Sequence, residues 1–316
     1  MDWFPAFLPF FSPAPDTLLP AQSAPSAIER PAVIPNLRAL SDSVRPRSFI
    51  SQPLDAMDLR APLLQTAVPL PMPEHSGAKK ILPLGRLFGP EGPTHTDVVQ
   101  GECGDCYLMA TLAALAKHRP ELILSSVEPV DNSDNEAIVH FRNPLTNEPD
   151  SMRVFATSYV DSSNEPIYAG QGDKTPPMDQ AGWAKVLENW FAKLNEHFQL
   201  VEPEVGFKGI GQGGYVVTPF SALTGQDMYL ITPKTLAEFK TVLNEVNDGK
   251  VVLLSSKERT FSEYYFPAGH AFAVLGFDGD QVELYDPWGK TVEFDVKPIF
   301  ENTARLWLEV PLEPLN

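Results

Sequence analysis

The sequence predicts an α+β fold in two lobes, a helical lobe first and a β-rich lobe second. Three observations predict it. An apolar helix follows Cys106, an amphipathic helix runs from about Gly182 to Phe198, and nearly everything after Gly249 reads as strand. The 316 residues, 43% hydrophobic and 21% charged, have a globular composition and a length that suits one large domain or two lobes.

The elements follow in order. Fourteen of the 32 prolines fall before His75. Proline removes a backbone donor and disfavours helix at the preceding residue, so residues 1–80 are expected to form a Pro-rich, mostly disordered arm. Its expected roles are a propeptide, a targeting leader or a tail that docks a partner or the cleft. The N-terminus is apolar, but no basic residue precedes it and prolines at 5, 9, 13 and 15 interrupt it, which argues against a secretory signal. A cytoplasmic location, or export by a route without a cleavable signal, is the matching expectation.

From residue 81 the texture is globular, and the core is expected over 81–316: a helical lobe over 81–215 carrying Cys106, and a β-rich lobe over 216–316 carrying His270 and Asp286. Leu108, Leu112 and Leu115 recur at helical spacing among alanines until Pro120, and a helix apolar all round is a buried one. Strands are expected over Glu136–Arg142 and Ser151–Tyr159, with a piece near Ile167-Tyr168. In the second helix Trp183, Val186, Leu187, Trp190 and Leu194 share one face. The glycine-rich stretch Gly206 to Gly214 reads as a loop or lobe junction. Thr235 and Glu238 form a capping-box pattern that starts a third helix, ended by Gly249. Strands follow at 251–255, 271–277, 281–285, 291–296 and 305–310, with Asp278-Gly279 as a hairpin turn.

Charge and cysteine count exclude several function classes. The formal net charge is −17; seven acids and five bases precede residue 76, which leaves −15 on the rest. That balance argues against a nucleic-acid partner, which needs a basic footprint. No run approaches the ~20 apolar residues of a membrane span. The two cysteines, Cys103 and Cys106, are too few for a disulfide scaffold or a Cys-rich zinc site, and they fit a reducing compartment.

The chemistry-bearing residues begin with Cys106. It opens a buried helix, where unpaired N–H groups and the dipole favour an anion and so a nucleophilic thiolate. Gln100 stands six residues earlier, and its amide together with the Cys106 backbone N–H would make two donors for a developing oxyanion. His270, in Gly-His-Ala-Phe, begins an apolar strand; Asp286, in Asp-Pro-Trp-Gly, comes one hairpin later. A Cys-His pair needs a third polar group to orient the ring, a role that Asp286 is spaced to fill, with Trp288 shielding the contact from water.

Gln100-Gly-x-x-Gly-Asp-Cys106-Tyr-Leu-Met-Ala resembles the nucleophile motif of the calpain-family cysteine peptidases. Gly269-His270-Ala-Phe and Asp286-Pro-Trp-Gly resemble that family's histidine and Asn-Pro-Trp-Gly motifs, and the helix from Trp183 is similar to its second helix. The resemblance implies a papain-like fold with the active site in the cleft between lobes. It further implies a cysteine endopeptidase working on protein substrates through an acyl-enzyme, with Gly213, Gly214, Gly269 and Trp288 lining the substrate cleft. No cofactor is required for that chemistry; calcium is a regulator in such cores, and the acidic loops Asp131 to Glu136 and around Asp161 are the places to look for it. No EF-hand pattern is present. The chain departs from the family pattern in three places: Asp286 for Asn, Tyr107 for Trp, and Cys103 for an apolar residue. The last creates Cys-x-x-Cys, which carries two other readings. One is a thiol-disulfide oxidoreductase, which would need the motif after a strand in a βαβ unit; the other is a reversible Cys103–Cys106 switch on a peptidase. A peptidase-like binding protein without activity is a further alternative. Of the remaining histidines, His118 is read as a partner of the helix dipole.

Overall fold

The computed structural model describes residues 80–83, 85–133, 135–162, 166–171, 181–200, 204–257, 259–261 and 264–310. The expected N-terminal arm lies outside them but for its last residue.

The first part of the chain runs β1 (Lys80–Pro83), β2 (Val98–Val99), α1 (Cys106–His118), α2 (Pro120–Ser126), β3 (Val127–Pro129), β4 (Glu136–Arg142), β5 (Pro149–Phe155), β6 (Thr157–Val160), β7 (Gly170–Gln171), α3 (Trp183–Phe198), α4 (Gly206–Ile210) and α5 (Val217–Thr224). The second runs β8 (Met228–Ile231), α6 (Leu236–Asn244), β9 (Val252–Ser256), β10 (Arg259–Phe261), β11 (Tyr264–Phe266), β12 (Ala271–Phe277), β13 (Gln281–Asp286), β14 (Lys290–Asp295), α7 (Val296–Asn302) and β15 (Thr303–Glu309). Among the described residues no helix is long and apolar enough to cross a membrane.

The centre of the molecule is α1, whose residues from Tyr107 to Ala116 are all buried. On one side it meets α3, which packs in turn on the three-stranded antiparallel sheet β3-β4-β5, where Ala137, Val139 and Phe141 alternate inward with Met152 and Val154. On the other side lies a six-stranded sheet in the order β14-β13-β12-β9-β15-β8, antiparallel throughout. Both faces of this sheet are covered, which is why β9 and β12 read as continuous apolar runs rather than as alternating ones. Leu253, Ala271, Ala273 and Leu275 face the helical lobe and join its core. Val252, Leu254, Phe272 and Val274 point the opposite way into a second core built with Phe239, Val242 and Leu243 of α6 and Ile299 of α7. The arrangement is the α+β, papain-like one that the sequence predicts, with the sheet packed directly on the cysteine helix.

Several elements differ from expectation. The strand expected over Ser151–Tyr159 is two strands: the Ala156 N–H donates to Asn135 O (2.7 Å) between them, β5 pairs with β4, and β6 pairs with β1. Ile167-Tyr168 is not strand; the local pairing falls at Gly170–Gln171 against β2. The glycine-rich stretch forms the short helix α4 before it becomes loop. Three helices, α2, α5 and α7, were not expected. Each carries a proline, Pro120, Pro219 and Pro298, in its first turn, where the missing N–H costs nothing. The third helix starts as expected, with Thr235 Oγ1 accepting the Glu238 N–H (3.2 Å), but the returning bond to Glu238 comes from the Lys234 N–H (2.7 Å). Its last turn, Glu245–Asp248, is 3-10, and Gly249 ends it at φ 78°.

Candidate active site

Chain folding brings a loop before α1, the start of β12 and the end of β13 to one place. The loop from Gln100 to Asp105 is fixed at its start by the sheet. The Gln100 N–H donates to Pro287 O (2.7 Å) and the Tyr285 hydroxyl donates to Val98 O (2.6 Å). The loop's glycines permit the close backbone approach that follows, since a Cβ on Gly104 would lie 2.4 Å from Gly211 O. The loop therefore reaches the sheet lobe and the glycine-rich segment at once.

Cys106 is the first residue of α1 and is half-buried. Its thiol is close enough to His270 to be among the groups that raise the imidazole pKa. The other ring contact of His270 is Nε2 to Asp286 Oδ1, at 2.9 Å. With Nε2 engaged there, Nδ1 is the nitrogen left to face sulfur. His270 is 6% exposed and Asp286 is 1% exposed. Burial alone would pull the imidazole pKa down; the hydrogen bonds and charges of Asp286 and Cys106 outweigh it and push the pKa up to about 9.

Asp286 is a buried carboxylate with a complete set of donors. Besides His270 it accepts the Trp288 N–H on Oδ1 (2.9 Å) and the Tyr264 hydroxyl on Oδ2. Burial works to raise its pKa, but these three donors win and hold it below the ordinary carboxylate value. The Trp288 ring lies over the imidazole, centroids 4.5 Å apart and tilted by 31°, while 46% of the residue stays exposed. It caps the histidine on one face and offers its other face to the surface. Tyr264 is the residue that motif reading missed. Its signal was indirect: an aspartate in place of asparagine has a second acceptor oxygen that, once buried, needs a donor.

Gln100 sits where its side chain can reach back over the loop, and Nε2 donates to Cys103 O (2.6 Å). A carboxamide nitrogen carries two hydrogens, so this bond uses one and leaves the other. The glycine-rich segment is tied to α1 by the Tyr107 hydroxyl on Ile210 O (3.2 Å) and by Thr111 Oγ1 on Val216 O (3.3 Å). Tyr107 is buried and lies flat beneath Gly214, where an added Cβ would stand 2.7 Å from the ring. Gly213 and Gly269, at φ 89° and 72°, both have open space where a side chain would be.

The remaining expectations on single residues resolve as follows. His118 does not serve the helix dipole as a cation: its Nε2 is 2.8 Å from Val274 O of β12, and burial lowers its pKa. Cys103 is 4% exposed, its Sγ facing Phe207 O at 3.7 Å, and both cysteines are free thiols. The strand before them has two residues and pairs antiparallel with β7, which is no βαβ unit. For calcium, Glu136 of one acidic loop pairs instead with Arg153 (3.4 Å). Among the described residues the one gathering of three ligand-type side chains is Cys103, Asp105 and Glu188, with donor atoms within 4.8 Å of one another. A thiol in the set does not suit calcium, which takes oxygen ligands.

Known proteins bear on this geometry. The family model described as "Calpain family cysteine protease" matches residues 78–313. The chain is 24% identical over 221 residues to the calpain-2 catalytic subunit of Gallus gallus, covering 63% of this chain and 29% of that one. It is 24% identical over 260 residues to the calpain-1 catalytic subunit of Mus musculus, covering 70% and 31%. To calpain-9 of Homo sapiens it is 25% identical over 213 residues, covering 63% and 29%. The chain thus spans under a third of the length of these relatives. The papain-like fold, the Cys-His-Asp cluster between helix and sheet and the match over 78–313 converge: the chain belongs to the calpain family of cysteine proteases.

Proposed function

We propose that the chain is a cysteine endopeptidase that cleaves protein substrates through an acyl-enzyme. The observation that carries this reading is one imidazole hydrogen-bonded to a buried carboxylate and interacting with a half-buried thiol at a helix start. Cys106 attacks the scissile carbonyl as thiolate. His270 holds the thiol proton as an imidazolium and delivers it to the leaving amine. Asp286 fixes the ring and compensates its charge, and it keeps doing so because Tyr264 and the Trp288 N–H keep it ionised.

The oxyanion of the tetrahedral intermediate takes the free hydrogen of Gln100 Nε2 and the Cys106 N–H, which as the first helical residue has no intrahelical acceptor. Water then enters against the acyl-enzyme, with His270 as its base. Substrate lies along Gly213 and Gly269, where bare backbone leaves room for an extended peptide, along Gly214 between them, whose missing side chain lets Tyr107 pack beneath, and against the exposed face of Trp288. Calcium is proposed only as a regulator, and no chemical step runs through it.

Cleavage of a general protein substrate by the full chain, measured with and without calcium, tests the reading. Cys106→Ala and His270→Ala should each lower the rate by on the order of a thousandfold or more. Iodoacetamide should label Cys106 in the parent and label it far more slowly in His270→Ala. Unaltered cleavage by Cys106→Ala would defeat the proposal.

A further inference from the structure

One buried polar cluster is not used by the chemistry above, and it lies directly beneath the nucleophile. Asp105 is the residue before Cys106 and the N-cap of α1, yet its side chain makes no capping bond to the helix. An aspartate at this position ordinarily accepts an N–H of the first turn. Here it is turned into the core, fully buried, and neither carboxyl oxygen meets a donor. Its neighbour in the core is the Glu188 carboxylate of α3, another acceptor, with an oxygen within 4.8 Å.

Glu188 is also fully buried, and its state is legible from its neighbours. The Ala169 N–H donates to both of its oxygens, at 3.1 and 3.0 Å. One turn before it, Lys185 is 2% exposed, with Nζ on Ser158 Oγ (2.8 Å), and supplies the positive charge that Glu188 feels. One backbone N–H shared between both oxygens and a lysine mark Glu188 as the carboxylate of the pair. Two adjacent carboxylates without a shared proton would repel strongly in a dry interior.

We infer that Asp105 and Glu188 share one proton, with Asp105 as the neutral acid donating to the Glu188 carboxylate, and that both are positioning residues for Cys106. The inference rests on the peptidase reading for its consequence and not for its geometry. The shared proton staples the start of α1 to α3, so the nucleophile's helix cannot rotate without breaking a buried bond. It also leaves the residue beside Cys106 uncharged, so the helix-start field that favours a thiolate is not opposed by an adjacent anion. The titratable groups that face the pair are Cys103 and Cys106, Tyr107 from α1, Tyr168 from the segment before β7, and Lys185 from α3. Burial raises the Asp105 pKa well above the ordinary carboxylate range, in keeping with the geometry.

The experiment combines a spectrum with a reactivity series, both on the full chain. Infrared spectra at about pH 8, where ordinary carboxyls are ionised, should contain a protonated-carboxyl band that shifts on isotope labelling of aspartate and is absent from Asp105→Asn. The carboxamide of that variant still donates to Glu188, so Cys106 should react with iodoacetamide within about threefold of the parent rate at neutral pH. Glu188→Gln moves the negative charge onto Asp105, and there alkylation should slow by about tenfold or more, the effect of one pH unit on thiolate population. No band in the labelled parent would overturn the inference, as would Asp105→Asn slowing alkylation as much as Asp105→Ala. So would a stoichiometric divalent ion in the purified parent that is lost from Asp105→Asn. The labelled spectrum needs neither a folded variant nor peptide cleavage, so it stands or falls separately from the peptidase reading.

Discussion

Two aspartates flank the reacting pair, and they live in opposite electrostatic worlds. Asp286 on the sheet side and Asp105 on the helix side are both essentially inaccessible to water. Asp286 receives an imidazole N–H, a phenol O–H and a backbone N–H, and its pKa is lowered. Asp105 receives none from its surroundings, and its pKa is raised. Burial by itself pushes both in the same direction, so donor count decides the sign. The comparison teaches that the charge beside the histidine is built by hydrogen bonds, while the missing charge beside the cysteine is built by withholding them.

The sharpest way to break the comparison is to remove the charged member. Asp286→Ala leaves His270 buried with neither a counter-charge nor an orienting group. The rate of protein cleavage should fall by on the order of a hundredfold to a thousandfold, with CD spectra close to the parent's. Retention of most activity would mean that the ring is held by other contacts.

Asp286→Asn sharpens it, because the amide keeps a carbonyl for the His270 and Trp288 N–H groups and can donate to Tyr264. Only the charge goes. The His270 pKa is raised to about 9 partly by that charge, so the imidazolium persists below that value and is lost as pH rises through it. Without the carboxylate the basic limb of kcat/KM should move down by roughly one to two pH units. The rate at neutral pH should fall by no more than about tenfold. A basic limb that stays in place would show that Cys106, not Asp286, sustains the shift.

Tyr264→Phe is the mildest test. It takes one donor from Asp286 Oδ2 and leaves that oxygen buried and unpaired, at a cost of about 1–3 kcal/mol. The expected outcome is a lower Tm and a few-fold loss of kcat/KM, with the acid limb of the profile moved upward as Asp286 becomes easier to protonate. An unchanged acid limb would remove Tyr264 from the explanation of the Asp286 charge.

Much of this was legible in the chain before folding, and the exceptions share causes. Cys106, His270, Asp286 and Gln100 stood out because each needs a particular neighbour in sequence: a helix start, a glycine, a turn, a two-glycine loop. Tyr264 had no such neighbour; it reaches Asp286 from β11, and only the extra oxygen of an aspartate pointed to it. The state of Asp105 depends on Glu188, which belongs to another helix and is reached only through tertiary packing. At the level of elements, α2, α5 and α7 were missed for one reason: proline reads as a breaker, whereas in the first turn it is tolerated and even favoured. The false continuity of Ser151–Tyr159 had a different cause, since residue pattern gives no sign that Ala156 turns aside to bond Asn135.

Ala271 and Ala273 project from the histidine's strand toward the alanine-rich cysteine helix, while their bulky neighbours Phe272 and Val274 point away. Methyl groups are therefore the spacers that gauge how near the strand may ride to the helix. The reach between sulfur and imidazole is in this sense a thickness, set by the smallest side chains in the layer and not by the reacting groups themselves.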